Sequence, residues 1–248
     1  MRRTRLFLAP LMLAIAVQVT FANGHDDSTA QTTARVEDKL NHAQVFKHGN
    51  VQVSVNNGTA TLSGTVDSVG VKMDAERAAH KVDGVTEVVD NINILAEDAT
   101  PRQIGEQARK DIVMYYPYTI FDNVSMEVQG ARLIVNGQVT QPFKKQEIGN
   151  LLAHVKGVAD LENNLEVLPT SLGDDRLRLA IARAIYNDPN FAGYGNQVLP
   201  PIHIIVKNGD VTLEGIVANK LDRVKAENDA QFAATYFNLT NNLRIDNT

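Results

Sequence analysis

No cysteine occurs in the 248-residue chain, which excludes a disulfide framework, a lipid-modified cysteine following an export signal, and any thiolate metal site. The six histidines (His25, His42, His48, His80, His154 and His203) form no HExxH and no helical pair four residues apart, so no metal is expected. A P-loop, a G-x-S-x-G elbow and a G-x-G-x-x-G opening a helix are missing too. The acids are dispersed, with Glu37, Asp38, Asp74, Glu76 and Glu227 on what read as solvent faces of helices. Lacking a reactive constellation, the chain reads as no enzyme, and no cofactor is expected.

Positive charge is also short. Lys and Arg total 24 against 29 Asp and Glu, and three of the arginines (Arg2, Arg3, Arg5) precede the apolar run LFLAPLMLAIAV. A basic start, a short apolar core interrupted by Pro10, and small residues Thr20 and Ala22 form the layout of a cleaved signal peptide over residues 1–22. Cleavage after Ala22 would leave 21 basic residues against the same 29 acids. Such an acidic surface argues against nucleic acid as a partner, and against adhesion to anionic lipid unless positive charge is concentrated locally. Export to the periplasm is the expected destination.

What the chain does have is repetition. The stretch NGDVTLEGIV at 208–217 returns as NGTATLSGTV at 57–66 and, one residue longer, as QGARLIVNGQV at 129–139. Each copy carries a strand glycine, Gly64, Gly137 or Gly215, and each glycine precedes a shared asparagine, Asn91, Asn164 or Asn242, by the same 27 residues. The glycines lie 73 and then 78 residues apart, so the length variation falls before the hairpin. Three tandem units follow, at 33–96, 102–168 and 172–246.

Within a unit the hydrophobic period changes along the chain. ARVEDKLNHA at 34–43 has helical spacing, with Val36 and Leu40 on one face and Thr32 or Thr33 available as a cap. VQVSVNNGTATLSGTV alternates about Asn57-Gly58, the signature of a hairpin with a type I′ turn. Ala75, Ala78, Ala79 and Val82 then make one helical stripe, repeated as Ile148, Leu151, Leu152 and Val155, with Gly84 and Gly157 as C-caps. A last strand, VTEVVDNINIL, closes an α-β-β-α-β module in an α+β fold, two helices covering one face of a three-stranded sheet. The third copy departs from the others. It has Thr235 where they have the capping glycine and Asp229 on the helix stripe, so its second helix ends differently or runs on. It also carries an inserted loop, NDPNFAGYGNQVLPP at 187–201, either a solvated connection or a binding feature added to this copy.

The Gly turn, the V-x-L-x-G-x-V-type strand, the helix ending in G-V and the strand ending near an asparagine resemble the BON domain, named for bacterial osmotically inducible and nodulation proteins. The resemblance covers nearly all of the chain after residue 32. It implies an exported, non-enzymatic protein whose modules bind phospholipid surfaces or envelope proteins, with a role in osmotic or envelope stress. A protein-binding or chaperone-like role, with sheet edges holding client polypeptides, is the other reading.

One stretch is a candidate contact site. VMYYPYTIF at 113–121 gathers Tyr115, Tyr116, Tyr118 and Phe121, and the same unit supplies Lys144, Lys145 and Lys156. Tyrosine has an apolar body and a polar tip, and with the lysines these residues can form an aromatic and basic patch facing lipid or a partner. The plain alternative is that the aromatics close the module core and the lysines are solvated. The strand glycines Gly64, Gly137 and Gly215 are assigned to construction, as a bulge or a close crossing of the second helix over the sheet. The short linkers AEDATP (96–101) and PTSLGD (169–174) predict that neighbouring units touch.

Overall fold

A computed structural model describes residues 24–95 and 99–246, with side chains from residue 28 onward, so the expected signal peptide and part of the first linker lie outside the described residues. Module 1 runs α1 (Gly24–His42), β1 (Gly49–Asn56), β2 (Thr59–Val66), α2 (Val69–His80) and β3 (Glu87–Ile94). Strand β1 is antiparallel to β2, and β3 is parallel to β2, giving the order β1-β2-β3. The antiparallel pair needs only a two-residue loop, and Asn57 and Gly58, at φ 50° and 83°, supply the type I′ turn that matches strand twist. The parallel pair needs a crossover, which α2 provides. Alternation aims Ala60, Leu62 and Val66 of β2 at the helices, where they close a core with Val36 and Leu40 of α1 and Ala75 and Ala79 of α2.

Module 2 repeats the plan with α3 (Pro101–Met114), β4 (Asn123–Gln129), β5 (Arg132–Val139), α4 (Pro142–Ala153) and β6 (Asp160–Val167), in the sheet order β4-β5-β6. Module 3 has α5 (Leu172–Tyr186), α6 (Ala192–Gly195), β7 (Ile202–Lys207), β8 (Asp210–Val217), α7 (Lys220–Ala233), β9 (Asn238–Asn241) and β10 (Arg244–Ile245). Its last strand is interrupted at Asn242 and Leu243, yet β9 and β10 both pair parallel with β8 in one continuous register.

Several local expectations are revised. Helix α1 starts well before Thr32 and Thr33, whose hydroxyls donate back to the carbonyls of Ser28 and Thr29 inside the helix rather than capping it. Gly84 and Gly157 have positive φ but stand beyond the helix ends, in turns closed by Val85 N–H to Val82 O (3.0 Å) and Val158 N–H to Val155 O (3.1 Å). Helix α7 runs on, with 14 residues against 12 in α2 and α4, and stops at an extended Ala234.

The strand glycines mark no bulge, because the β1–β2, β4–β5 and β7–β8 registers are unbroken through them. All three have φ near +120°, and a Cβ there would lie about 2 Å from a carbonyl oxygen of the preceding strand or its start, Asn50, Asn123 or Pro201. Glycine tolerates both the dihedral and the approach. The inserted loop of module 3 is largely exposed, yet it is anchored to its module at two points. Pro189–Phe191 forms a 3-10 turn that buries Phe191 completely, and the Tyr194 hydroxyl donates to Asp222 and accepts from Ala218 N–H at the start of α7.

Candidate binding surfaces

The stretch from Tyr115 to Asp122 is divided among three environments. The ring of Tyr115 packs on the module 2 core and its hydroxyl donates to Glu147 of α4; burial and that carboxylate raise the phenol's pKa. Tyr118 is largely buried, accepts Val124 N–H at 3.2 Å, and has its pKa raised by burial. Ile120 and Phe121 leave module 2 altogether and pack against the core of module 3. Tyr116 alone projects freely, at 96% exposure.

The lysines divide in the same way. Lys144 is buried, and its ammonium donates to Asp122 Oδ2 at 2.7 Å and to Thr140 Oγ1 at 2.8 Å. Asp122 is fully buried and also accepts from the backbone N–H and hydroxyl of both Thr119 and Thr140, so each carboxylate oxygen is satisfied. A buried pair supplied with this many donors is a structural lock, since its desolvation is offset only by complete bonding. Lys145 stays half-exposed and Lys156 lies on the surface at the far end of α4. These seven residues therefore do not form one patch. What remains at the surface is an apolar protrusion at the end of α3, Met114 (71% exposed) and Tyr116, with Lys110 one helical turn before Met114. Phe143 is half-exposed one turn before Glu147 on the same face of α4, close to where Tyr115 crosses.

Module 3 carries a second apolar face that the sequence reading did not single out. Leu221, Val224 and Phe232 stand on the pole of α7 opposite the buried Ala226 and Ala230, and Leu221 and Phe232 are 75% and 85% exposed. The signal is present as apolar residues spaced along the helix, on the face opposite the stripe that recurs in the other copies.

Between modules 2 and 3 lies a cleft of about 1000 Å³, bounded by α3, by the edge strand β4, and by the outer face of the β7-β8-β10 sheet. His203 stands at its floor. Its Nδ1–H donates to the carbonyl of Asp122 at 2.6 Å, its ring lies 5.6 Å from that of Tyr118, and burial depresses its pKa below the ordinary 6.5. Among the described residues no three His, Asp or Glu side chains gather as a metal site, and no helix is long and apolar enough to cross a membrane.

Three tandem α-β-β-α-β modules with exposed faces and clefts between them define a repeat protein built to present surfaces. The BON domain model matches residues 28–96, 103–169 and 173–247, and the chain belongs to the BON-domain family. No curated protein matches the chain. Among solved structures it is similar to the C-terminal domain of CdsD, a structural protein of the type III secretion system of Chlamydia trachomatis, at 16% identity over 84% of this chain and 96% of that one, with a TM-score of 0.24. The periplasmic domain of the type III secretion inner-membrane protein PrgH from S. typhimurium is similar at 11% identity over 85% of this chain and 100% of that one, with a TM-score of 0.19. At such scores the likeness carries no functional argument.

Proposed function

We propose that the chain is an exported, non-enzymatic binding protein that associates with phospholipid surfaces or envelope components, with a part in osmotic or envelope stress. Membership of the BON-domain family supports the class of partner. The observation that carries the reading is the protrusion of Met114 and Tyr116, two large exposed side chains held out by the end of α3 with Lys110 one turn before Met114. An aromatic with a polar tip and a neighbouring lysine suits the headgroup boundary, where apolar burial and attraction to anionic lipid add. Of the residues singled out in the sequence, Tyr116 makes this contact and Tyr115 braces it. Lys144, Tyr118 and Phe121 hold the modules together instead.

Co-sedimentation with vesicles containing anionic phospholipid tests the reading. Binding that weakens several-fold in Tyr116→Ala with Met114→Ser, and weakens with added salt, supports it. No binding at low salt by the parent chain, or binding indifferent to both substitutions, refutes it.

A further inference from the structure

Strand β4 is an edge strand, and the direction of its backbone groups can be read from its neighbours. The carbonyl of Asn123 points at β5, lying 2.0 Å from where a Cβ on Gly137 would stand, whereas the N–H of Val124 points the other way, to the hydroxyl of Tyr118. Parity then directs the N–H and C=O groups of Met126 and Val128 outward as well. Among the described residues these groups have no backbone partner outside the ladder. They open on the cleft between modules 2 and 3, so a sheet edge is exposed within a cavity large enough to hold an extended chain.

The walls of that cleft select for charge. Arg102 and Arg109 of α3 line one side and Arg244 of β10 lines the other. Two acids, Glu106 and Glu214, share the lining; Glu106 is engaged by Arg102, and Glu214 accepts from the side-chain amide of Asn242. Arg109 and Arg244 have no ion pair among the described residues. A local excess of arginine in a chain of net charge −5 complements an acidic ligand, and the open backbone groups complement a strand.

We propose that β4 captures an extended acidic segment of a partner protein by strand addition, with Met126 and Val128 supplying backbone bonds and Arg109 and Arg244 reading carboxylates from opposite walls. The bound segment is short, because Tyr118 occupies the edge at Val124 and the strand ends at Gln129. This occupant is distinct from the lipid surface proposed for the Met114 and Tyr116 protrusion, which lies at the far end of α3 from Arg102.

A labelled octapeptide of alternating Glu and Val, titrated against the full chain at low salt and followed by anisotropy, tests the proposal. Saturable binding is expected for this peptide and none for its Lys-Val counterpart. Arg109→Glu with Arg244→Glu should weaken binding roughly tenfold and leave thermal stability unchanged, since both side chains are exposed. Of two Glu-Val peptides N-methylated on alternate residues, the one whose methyl groups face β4 should fail to bind, and the other should bind. The proposal is overturned by absence of saturable binding, by equal binding of the Lys-Val peptide, by indifference to the double charge reversal, or by equal binding of both N-methylated peptides.

Discussion

The two module junctions are built on different principles. At the first, the start of α2 abuts the end of α4 and its following turn: Val69 N–H donates to Val158 O, Gly157 N–H donates to Asp67 O, both at 2.8 Å, and His154 Nε2 meets Asp74 at 2.9 Å. Gly70 makes this possible, since a Cβ there would lie 2.6 Å from His154 Nδ1 and 2.8 Å from the Ala153 backbone. At the second junction, a strap from Tyr118 to Asp122 lies along the edge of β7. There Ile204 N–H donates to Ile120 O at 2.7 Å, and His203 holds the carbonyl of Asp122. The repeat offsets explain why module 2 does not dock as module 1 does. The positions of Val69 and Gly70 are taken by Pro142, which has no N–H to donate, and by Phe143. In module 3 the glycine position is Leu221. The same module thus docks through its helix start only where a side chain is missing, and otherwise through whatever precedes its hairpin.

The largest effect that would separate the junctions is at the buried carboxylate of the second. Asp122→Ala leaves Lys144 buried and unpaired and removes the anchor of the strap, and is expected to cost about 3–5 kcal/mol in module 2. Denaturant unfolding should show that loss together with detachment of module 3, while the His154 resonances reporting the first junction persist until module 2 itself unfolds. Gly215→Val places a side chain at φ 119° and within 2 Å of the Pro201 carbonyl. A loss of about 3 kcal/mol confined to module 3 is expected, measured by amide exchange in β7 and β8, with modules 1 and 2 unaffected. Gly70→Val attacks the first junction alone. It should cost about 1–3 kcal/mol and speed amide exchange at Val69 and Gly157, without loosening the strap.

The smallest effect is one of pH. Burial favours neutral His203, so below the ordinary imidazole value of 6.5 the unfolded chain takes up a proton that the folded chain does not. Stability of module 3 should therefore decline as pH falls below 6.5 toward the lowered folded-state value, and be retained above it. In His203→Gln that decline should disappear; an unchanged profile would show that His203 does not set it.

Much of the fold was legible because three copies corroborate one another. The hairpin periods, the apolar stripe of the second helix and the fixed spacing from Gly64 to Asn91 each recur, and a misreading in one copy is corrected by the next. The candidate site was legible only in fragments. Tyr116 is exposed as an aromatic and basic patch would need, but nothing local to 113–121 announces that Ile120 and Phe121 serve a core more than 50 residues further on. Lys144 did carry a signal. Shifted by 73 it falls on Val71, a buried apolar position, so a lysine there called for a buried partner rather than for water. That partner, Asp122, is 22 residues away and depends on the strap's conformation, which no periodicity encodes.

The docking of module 1 on module 2 joins two unlike surfaces, a helix start and a helix end. A contact of that head-to-tail kind has no built-in closure, and repeated without limit it would generate a growing superhelix, a linear polymer of modules. Phe143 and Leu221 stand at the growing tips of the next two units. Their bulk acts as a terminator that holds this stacking mode to a single step within the chain.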